Sequence, residues 1–262
     1  MVIYVQSRGK PQQKDYQWLK VRKNNFVREI PPILKRISVS ELIDSKKYSL
    51  VLARNDGELL LLVTGLSSER IDFMNRPIRN SIAWVAQYSP ENEKIMRSLA
   101  VLALRDKEAL EKIVKEAVVE TEVSSEYEFG VNRAKINQLS ESITVQSNDN
   151  SEKRNKIGNN SPELQREVAS ELENNRLPDR DGILVLVTSL KTESGLREYQ
   201  IWRGLSDKVS SGQLTLVASR SELPQAEKKI PVWLPVLMAV VIIMIVVFLV
   251  INLLPLFKVN SN

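Results

Sequence analysis

Val232 to Ile251 (VWLPVLMAVVIIMIVVFLVI) is a run of 20 residues without a charge, amide or hydroxyl. At about 1.5 Å of rise per residue, a helix of that length covers roughly 30 Å, the thickness of a bilayer's hydrocarbon core, and satisfies its own backbone there. A helix buried in a soluble domain is usually shorter and keeps a polar face. The run therefore predicts one transmembrane helix within residues 231–257, with 258–262 as a short tail and the rest of the chain as a body held by a C-terminal anchor. Pro235 falls in the first helical turn, where a missing N–H costs little.

The flanks fit a membrane. Lys228 and Lys229 before the span and Lys258 after it can snorkel to headgroups, and Trp233 and Phe257 fall near the two interfaces where aromatic rings settle. Arg220, Lys228 and Lys229 on the body side outnumber Lys258 beyond it, so the positive-inside rule places the body in the cytoplasm and the C-terminus on the opposite side. The opening MVIYVQSRGK has an apolar run too short for a signal peptide and no basic segment before it.

Composition removes several kinds of chemistry. The chain has neither Cys nor His, which excludes disulfide staples, His-based triads, cysteine nucleophiles and the usual zinc ligand sets. Of 37 basic side chains only one lies within 231–262, and none of the 32 acidic ones does, leaving the body a net charge of +4. That mild bias suits a surface near anionic headgroups. It falls short of the clustered basic face of a nucleic-acid binder, so no nucleic acid is expected as a partner.

Along the body, Val2–Gln6 reads as a strand stopped by Ser7-Arg8-Gly9, followed by a polar loop over Lys10–Lys23. Ser38 or Ser40 is positioned to cap a short helix through Leu42 and Ile43. Tyr48–Arg54 and Glu58–Thr64 are strands joined by the hairpin turn Asn55-Asp56-Gly57, and their nearly continuous apolar runs predict a sheet covered on both faces by helices. Residues 65–80 read as loop, then Asn80–Gln87 as strand. Ser89-Pro90 starts a helix with Ile95, Leu99, Leu102 and Ala103 on its buried face, and Asp106 caps another carrying Leu110, Ile113, Val114 and Ala117.

Residues 139–162 are rich in Ser, Asn and charge, with isolated aliphatics that cannot offset the entropy of ordering the chain, and are expected to be a flexible insertion. Ser161-Pro162 then starts a helix bearing Leu164, Val168 and Leu172 at a spacing of four. Strands are expected at Ile183–Leu190, Tyr199–Leu205 and Gln213–Ala218. LLLLVTGL (59–66) and ILVLVTSL (183–190) look alike, but the segments following them differ, so no repeat is assigned. The expected fold is α/β or α+β: one mixed domain from 1–138 and 163–220 around a largely buried sheet, interrupted by the insertion and linked through 221–230 to the span. Two small subdomains are the alternative.

The densest polar grouping is Glu69 to Ser81 (ERIDFMNRPIRNS), between two buried strands where α/β sheets often hold ligands. Arg70, Asp72, Arg76, Arg79 and Asn80 are the candidate site: Arg76 and Arg79 can grip a small anionic group or a partner, with Pro77 stiffening the loop. The competing expectation is that Arg70 or Arg76 pairs with Asp72 and only fixes the loop. Asp181-Gly182 and Lys191 match part of the D-G-x₆-E-x-K spacing of restriction-type nucleases, but Ser189 stands where the second carboxylate belongs, so no metal site is assigned. No spacing defines a catalytic set, a cofactor site or a phosphate loop.

Two functions follow. One is a membrane-tethered module that recruits or regulates a protein partner; the other is a tethered ligand-sensing or enzymatic domain using Arg70–Ser81. The missing His and Cys favour the first.

Overall fold

Asp56 and Gly57 have φ of +50° and +73°, the two left-handed centres of a type I′ turn, and they fold Ser49–Asn55 back onto Glu58–Ile71 with Asn55 opposite Glu58. The register runs from there to Ser49 opposite Thr64. Leu59, Leu61 and Val63 enter one hydrophobic layer and Leu60 and Leu62 the other, all essentially inaccessible to water. An apolar run of this kind is stable only where helices cover both faces.

The computed structural model describes residues 1–9, 15–22, 25–120, 129–141 and 154–217. Its strands are β1 (Val2–Ser7), β2 (Gln17–Val21), β3 (Phe26–Arg28), β4 (Ser49–Asn55), β5 (Glu58–Ile71), β6 (Pro77–Gln87), β7 (Val118–Glu120), β8 (Phe129–Val131), β9 (Asn155–Asn159), β10 (Gly182–Thr192), β11 (Arg203–Lys208) and β12 (Thr215–Val217). Ten of them form one mixed sheet in the order β12-β9-β11-β10-β4-β5-β6-β1-β2-β3. The pairs β10·β11 and β11·β9 are parallel and the others antiparallel, while β7 and β8 make a separate two-stranded ladder. Strands from both sides of residues 139–153 thus share a single sheet, within a compact unit that spans Met1–Arg220.

The helices are α1 (Pro32–Arg36), α2 (Pro90–Arg105), α3 (Lys107–Ala117), α4 (Arg133–Glu141), α5 (Pro162–Asn174) and α6 (Glu193–Glu198). Ser89 and Ser161 cap α2 and α5 by accepting from the N–H groups of Asn92 (3.1 Å) and Leu164 (3.3 Å). Asp106 ends α2 and caps α3, its carboxylate accepting from Ala109 N–H at 2.9 Å. Helices α2 to α5 supply the layer against Leu59 and Leu61, and Leu164, Val168 and Leu172 of α5 are buried in it as their spacing predicts. On the other face lie Ile33 of α1, Leu42 and Ile43, and Leu196 of α6.

A buried charge cluster ties these layers together. Glu93 of α2 and Arg97 one turn on are each 1% exposed; a Glu93 carboxylate oxygen lies 3.5 Å from Arg97 Nε and accepts from Leu177 N–H at 2.9 Å. Arg97 Nη1 donates to the carbonyls of Leu172 (2.8 Å) and Asn175 (2.9 Å), satisfying the C-terminal end of α5. Arg54 of β4 approaches the same Glu93 at 3.9 Å, stacks on the Tyr88 ring at 4.0 Å and donates to Asp179 at 2.7 Å.

Five expectations are corrected. Gln17–Val21, assigned to the polar loop, is β2, because Trp18, Leu19 and Val21 are buried against β1 despite the charged neighbours that obscure the run. The helix near Leu42 instead begins at Pro32; Ser38 has φ of +50°, makes no side-chain cap, and leads only a 3₁₀ turn over Val39–Glu41. Most of 65–80 is strand, since β5 runs on to Ile71 and β6 starts at Pro77, leaving Asp72–Arg76 as the loop. Asn155–Asn159, assigned to the flexible insertion, is β9, an interior strand between β11 and β12; residues 142–153 lie outside the described residues. Tyr199 ends α6, and the strand expected there begins at Arg203.

Gly65 explains the third correction. Its φ of +72° and the register shift between Val63 and Leu66 make a bulge that lets β5 continue, and a Cβ there would overlap the backbone of Lys47 and Tyr48. Gly65→Ala is therefore expected to lower stability by about 3 kcal/mol, from left-handed strain plus overpacking. Gly57→Ala, with nothing near its Cβ, is expected to cost only about 1 kcal/mol. Urea midpoints of the two variants check this ordering; equal losses contradict it.

Candidate functional site

Beyond the Gly65 bulge, β5 and β6 form a hairpin whose tip is organised by Asp72. Its Oδ1 accepts from the backbone N–H groups of Met74 (2.8 Å) and Arg76 (2.9 Å), and its Oδ2 from Arg76 Nε (2.8 Å) and Arg8 Nη1 (3.2 Å). The backbone closes the same loop, with Asp72 N–H donating to Arg76 O at 2.9 Å and Asn75 N–H to Asp72 O at 3.0 Å. Asn75 takes the left-handed conformation such a turn needs, with φ of +58°. Burial alone would raise the Asp72 carboxyl, but hydrogen bonds from the Arg76 guanidinium and from the Arg76 and Met74 amides outweigh it and hold it at about 2.

One layer below, Arg70 Nη1 donates to Arg8 O (3.3 Å), and Nη2 donates to Ser7 Oγ and to Asn80 Oδ1 (3.3 Å). Ser7 Oγ in turn donates to Asn80 Oδ1 at 2.7 Å, and Ser7, Asn80 and Ser81 are all buried. Burial lowers the Arg70 guanidinium below its ordinary range. These contacts stitch the hairpin to the end of β1.

The five candidates therefore divide. Arg70, Asp72 and Asn80 point into the hairpin and hold its shape, and Arg76 pairs with Asp72 as the structural alternative anticipated. Arg76 nonetheless leaves 58% of its side chain in solvent. Arg79 donates its backbone N–H to Tyr16 Oη at 3.0 Å, and its guanidinium has no partner among the described residues. Arg76 and Arg79 are thus the pair available to a ligand.

The tip also carries apolar groups outside the five candidates. Ile71, Phe73 and Met74 are 49%, 44% and 58% exposed, three of the ten exposed large apolar side chains among the described residues. The Arg8 and Arg76 guanidiniums, which share Asp72, both approach the Phe73 ring, at 5.8 and 5.9 Å. Arg8 reaches the site from 64 residues away, a contact set by the β1·β6 pairing and invisible in local spacing. Phe73-Met74 was legible in principle, as an apolar pair inside a polar loop.

The stability contributed by the Asp72 carboxylate has a definite pH window. Its native pKa lies below the ordinary 3.8, so the contribution is complete above pH about 4 and is lost as pH falls toward 2. The stability gap between the parent and Asp72→Asn is expected to be widest at neutral pH and to close through that window. A gap that stays constant on acidification contradicts the role given to the carboxylate.

Elsewhere, a cavity of about 670 Å³ lies between the sheet and the α1 to 3₁₀ segment, floored by Trp18 and Leu62, and none of the five candidates lines it. Asp181 accepts from Asp56 N–H at 3.4 Å beside the hairpin turn, and no group of three or more carboxylates among the described residues is placed to hold a metal ion. Lys228, Lys229, Trp233, Phe257 and Lys258 lie outside the described residues. No helix among the described residues is long and apolar enough to cross a membrane. The chain matches no protein-family model, no curated protein and no solved structure.

Proposed function

We propose that this chain is a tail-anchored, single-pass membrane protein whose α/β body is a cytosolic, non-enzymatic interaction module that recruits or regulates a protein partner at the bilayer. The tether is carried by one observation, the fully apolar 20-residue stretch Val232–Ile251 with lysines on both flanks. A binding role for the body is supported by the β5–β6 tip, where a rigid turn presents apolar and cationic side chains together. Arg70, Asp72 and Asn80 all make internal hydrogen bonds, with only Arg70 Nε and Asn80 Nδ2 left without a partner among the described residues.

A second proposal, a small anionic ligand gripped by Arg76 and Arg79, is favoured by the solvent exposure of the first and by the guanidinium of the second, which has no partner among the described residues. The detergent-solubilised full chain separates the two. A thermal shift of several degrees with phosphorylated metabolites, abolished by Arg76→Ala with Arg79→Ala, supports ligand sensing. No shift, together with a stoichiometric partner recovered from membranes, supports the module. If folding, partner recovery and ligand response are all unchanged in the double variant, the tip binds neither the partner nor a small anion.

A further inference from the structure

We infer that the β5–β6 tip, Ile71 to Arg79, docks on an anionic phospholipid surface, with Phe73 and Met74 entering the headgroup layer and Arg76 and Arg79 meeting lipid phosphates. This rests on the tether for the proximity of a bilayer and names what the tip contacts there.

Three observations converge. First, apolar side chains in water are clustered at the end of one hairpin, and a hairpin end is convex: it can enter a headgroup layer, whereas it offers no groove for a peptide. An exposed aromatic ring with two guanidiniums near it, followed in the chain by an exposed methionine, is a combination suited to a membrane interface.

Second, the charge is predominantly positive. Arg8 and Arg76 share the one carboxylate of Asp72, Glu69 is paired with Lys115, Glu120 lies within electrostatic reach of Arg70, and the Arg79 guanidinium has no partner among the described residues, which leaves the tip a cationic excess. A positive surface of this kind is attracted to phosphatidylserine-type headgroups and not to zwitterionic ones. Third, the tip is already ordered by the four hydrogen bonds to Asp72, so docking costs little further conformational entropy.

The absence of Cys permits a direct test on the full chain. Met74→Cys, labelled with an environment-sensitive fluorophore, is reconstituted into phosphatidylcholine vesicles with or without phosphatidylserine. A blue-shifted emission quenched by nitroxide lipids is expected only with phosphatidylserine. The same label at Glu91→Cys, exposed in the first turn of α2 at the far end of β6, is expected to report water in both. Arg79→Ala in the Met74→Cys background is expected to reduce the lipid-contacting fraction roughly five-fold, the effect of one basic side chain at an anionic surface. A water-like Met74 label on chains that float with phosphatidylserine vesicles overturns docking while leaving the tether intact, and is the result expected of a tip that binds a protein instead. The same silence on chains that do not float overturns both. A responsive label on chains that fail to float with phosphatidylcholine supports docking and overturns the tether alone.

Discussion

Replacing Glu93 by Leu is expected to destabilise the body by about 4 kcal/mol, the cost of leaving buried charges without their partner. That is a large share of the 5–15 kcal/mol typical of a folded domain. Arg54 and Arg97 are almost fully buried and converge on the Glu93 carboxylate, which also takes the Leu177 N–H. Removing the acid takes a buried counter-charge from Arg97 and from Arg54, which keeps Asp179 at 2.7 Å, and leaves the Leu177 N–H without its acceptor at the junction of β4, α2 and the end of α5.

Arg97→Met is expected to cost somewhat less, about 3 kcal/mol, because Glu93 retains Arg54 at 3.9 Å and Arg176 at 4.0 Å while the Leu172 and Asn175 carbonyls lose their donor. Glu93→Leu combined with Arg97→Met is expected to be more stable than Glu93→Leu alone, since a matched apolar pair leaves less uncompensated charge. Urea unfolding of the three variants measures this. A double variant no better than Glu93→Leu contradicts the coupling.

The other large effect concerns the proposed anchor. Val241 and Ile245 lie near the middle of the apolar run, where an arginine costs about 3 kcal/mol to insert. Val241→Arg together with Ile245→Arg is expected to move the chain from the membrane fraction to the soluble one. An arginine at Val259, in the tail beyond Lys258, is expected to leave it in place. Flotation of the variants distinguishes the outcomes, and unaltered co-flotation of the double variant contradicts a bilayer-spanning role for this segment.

Much of the body was legible because its strongest signals are local. Asp56-Gly57 specifies its turn through two left-handed residues, and Ser89-Pro90, Asp106 and Ser161-Pro162 announce helix starts through short-range caps. The unbroken apolar runs in β4, β5 and β10 called for a sheet covered on both faces, and helices do cover both. The losses came where tertiary pairing overrides composition. The five residues of β9 include only one large aliphatic, Ile157, yet pairing with β11 and β12 makes them an interior strand. Gly65 reads as a strand stop but acts as a bulge that the backbone of Lys47 and Tyr48 packs against.

The candidate site shows the same division. Arg70 meets Asn80 and Asp72 meets Arg76 because the hairpin is local in sequence, while the Arg79 side chain contacts none of the other candidates among the described residues. Their division into inward and outward groups depends on Ser7 and Arg8, brought alongside by the β1·β6 ladder. Spacing along one segment carries no information about that ladder.

Alkaline carbonate extraction of membranes containing the intact chain tests the central claim most directly, because it strips peripheral proteins and retains those that span lipid. The chain is expected in the membrane pellet. Its recovery intact in the supernatant would contradict a bilayer-spanning Val232–Ile251.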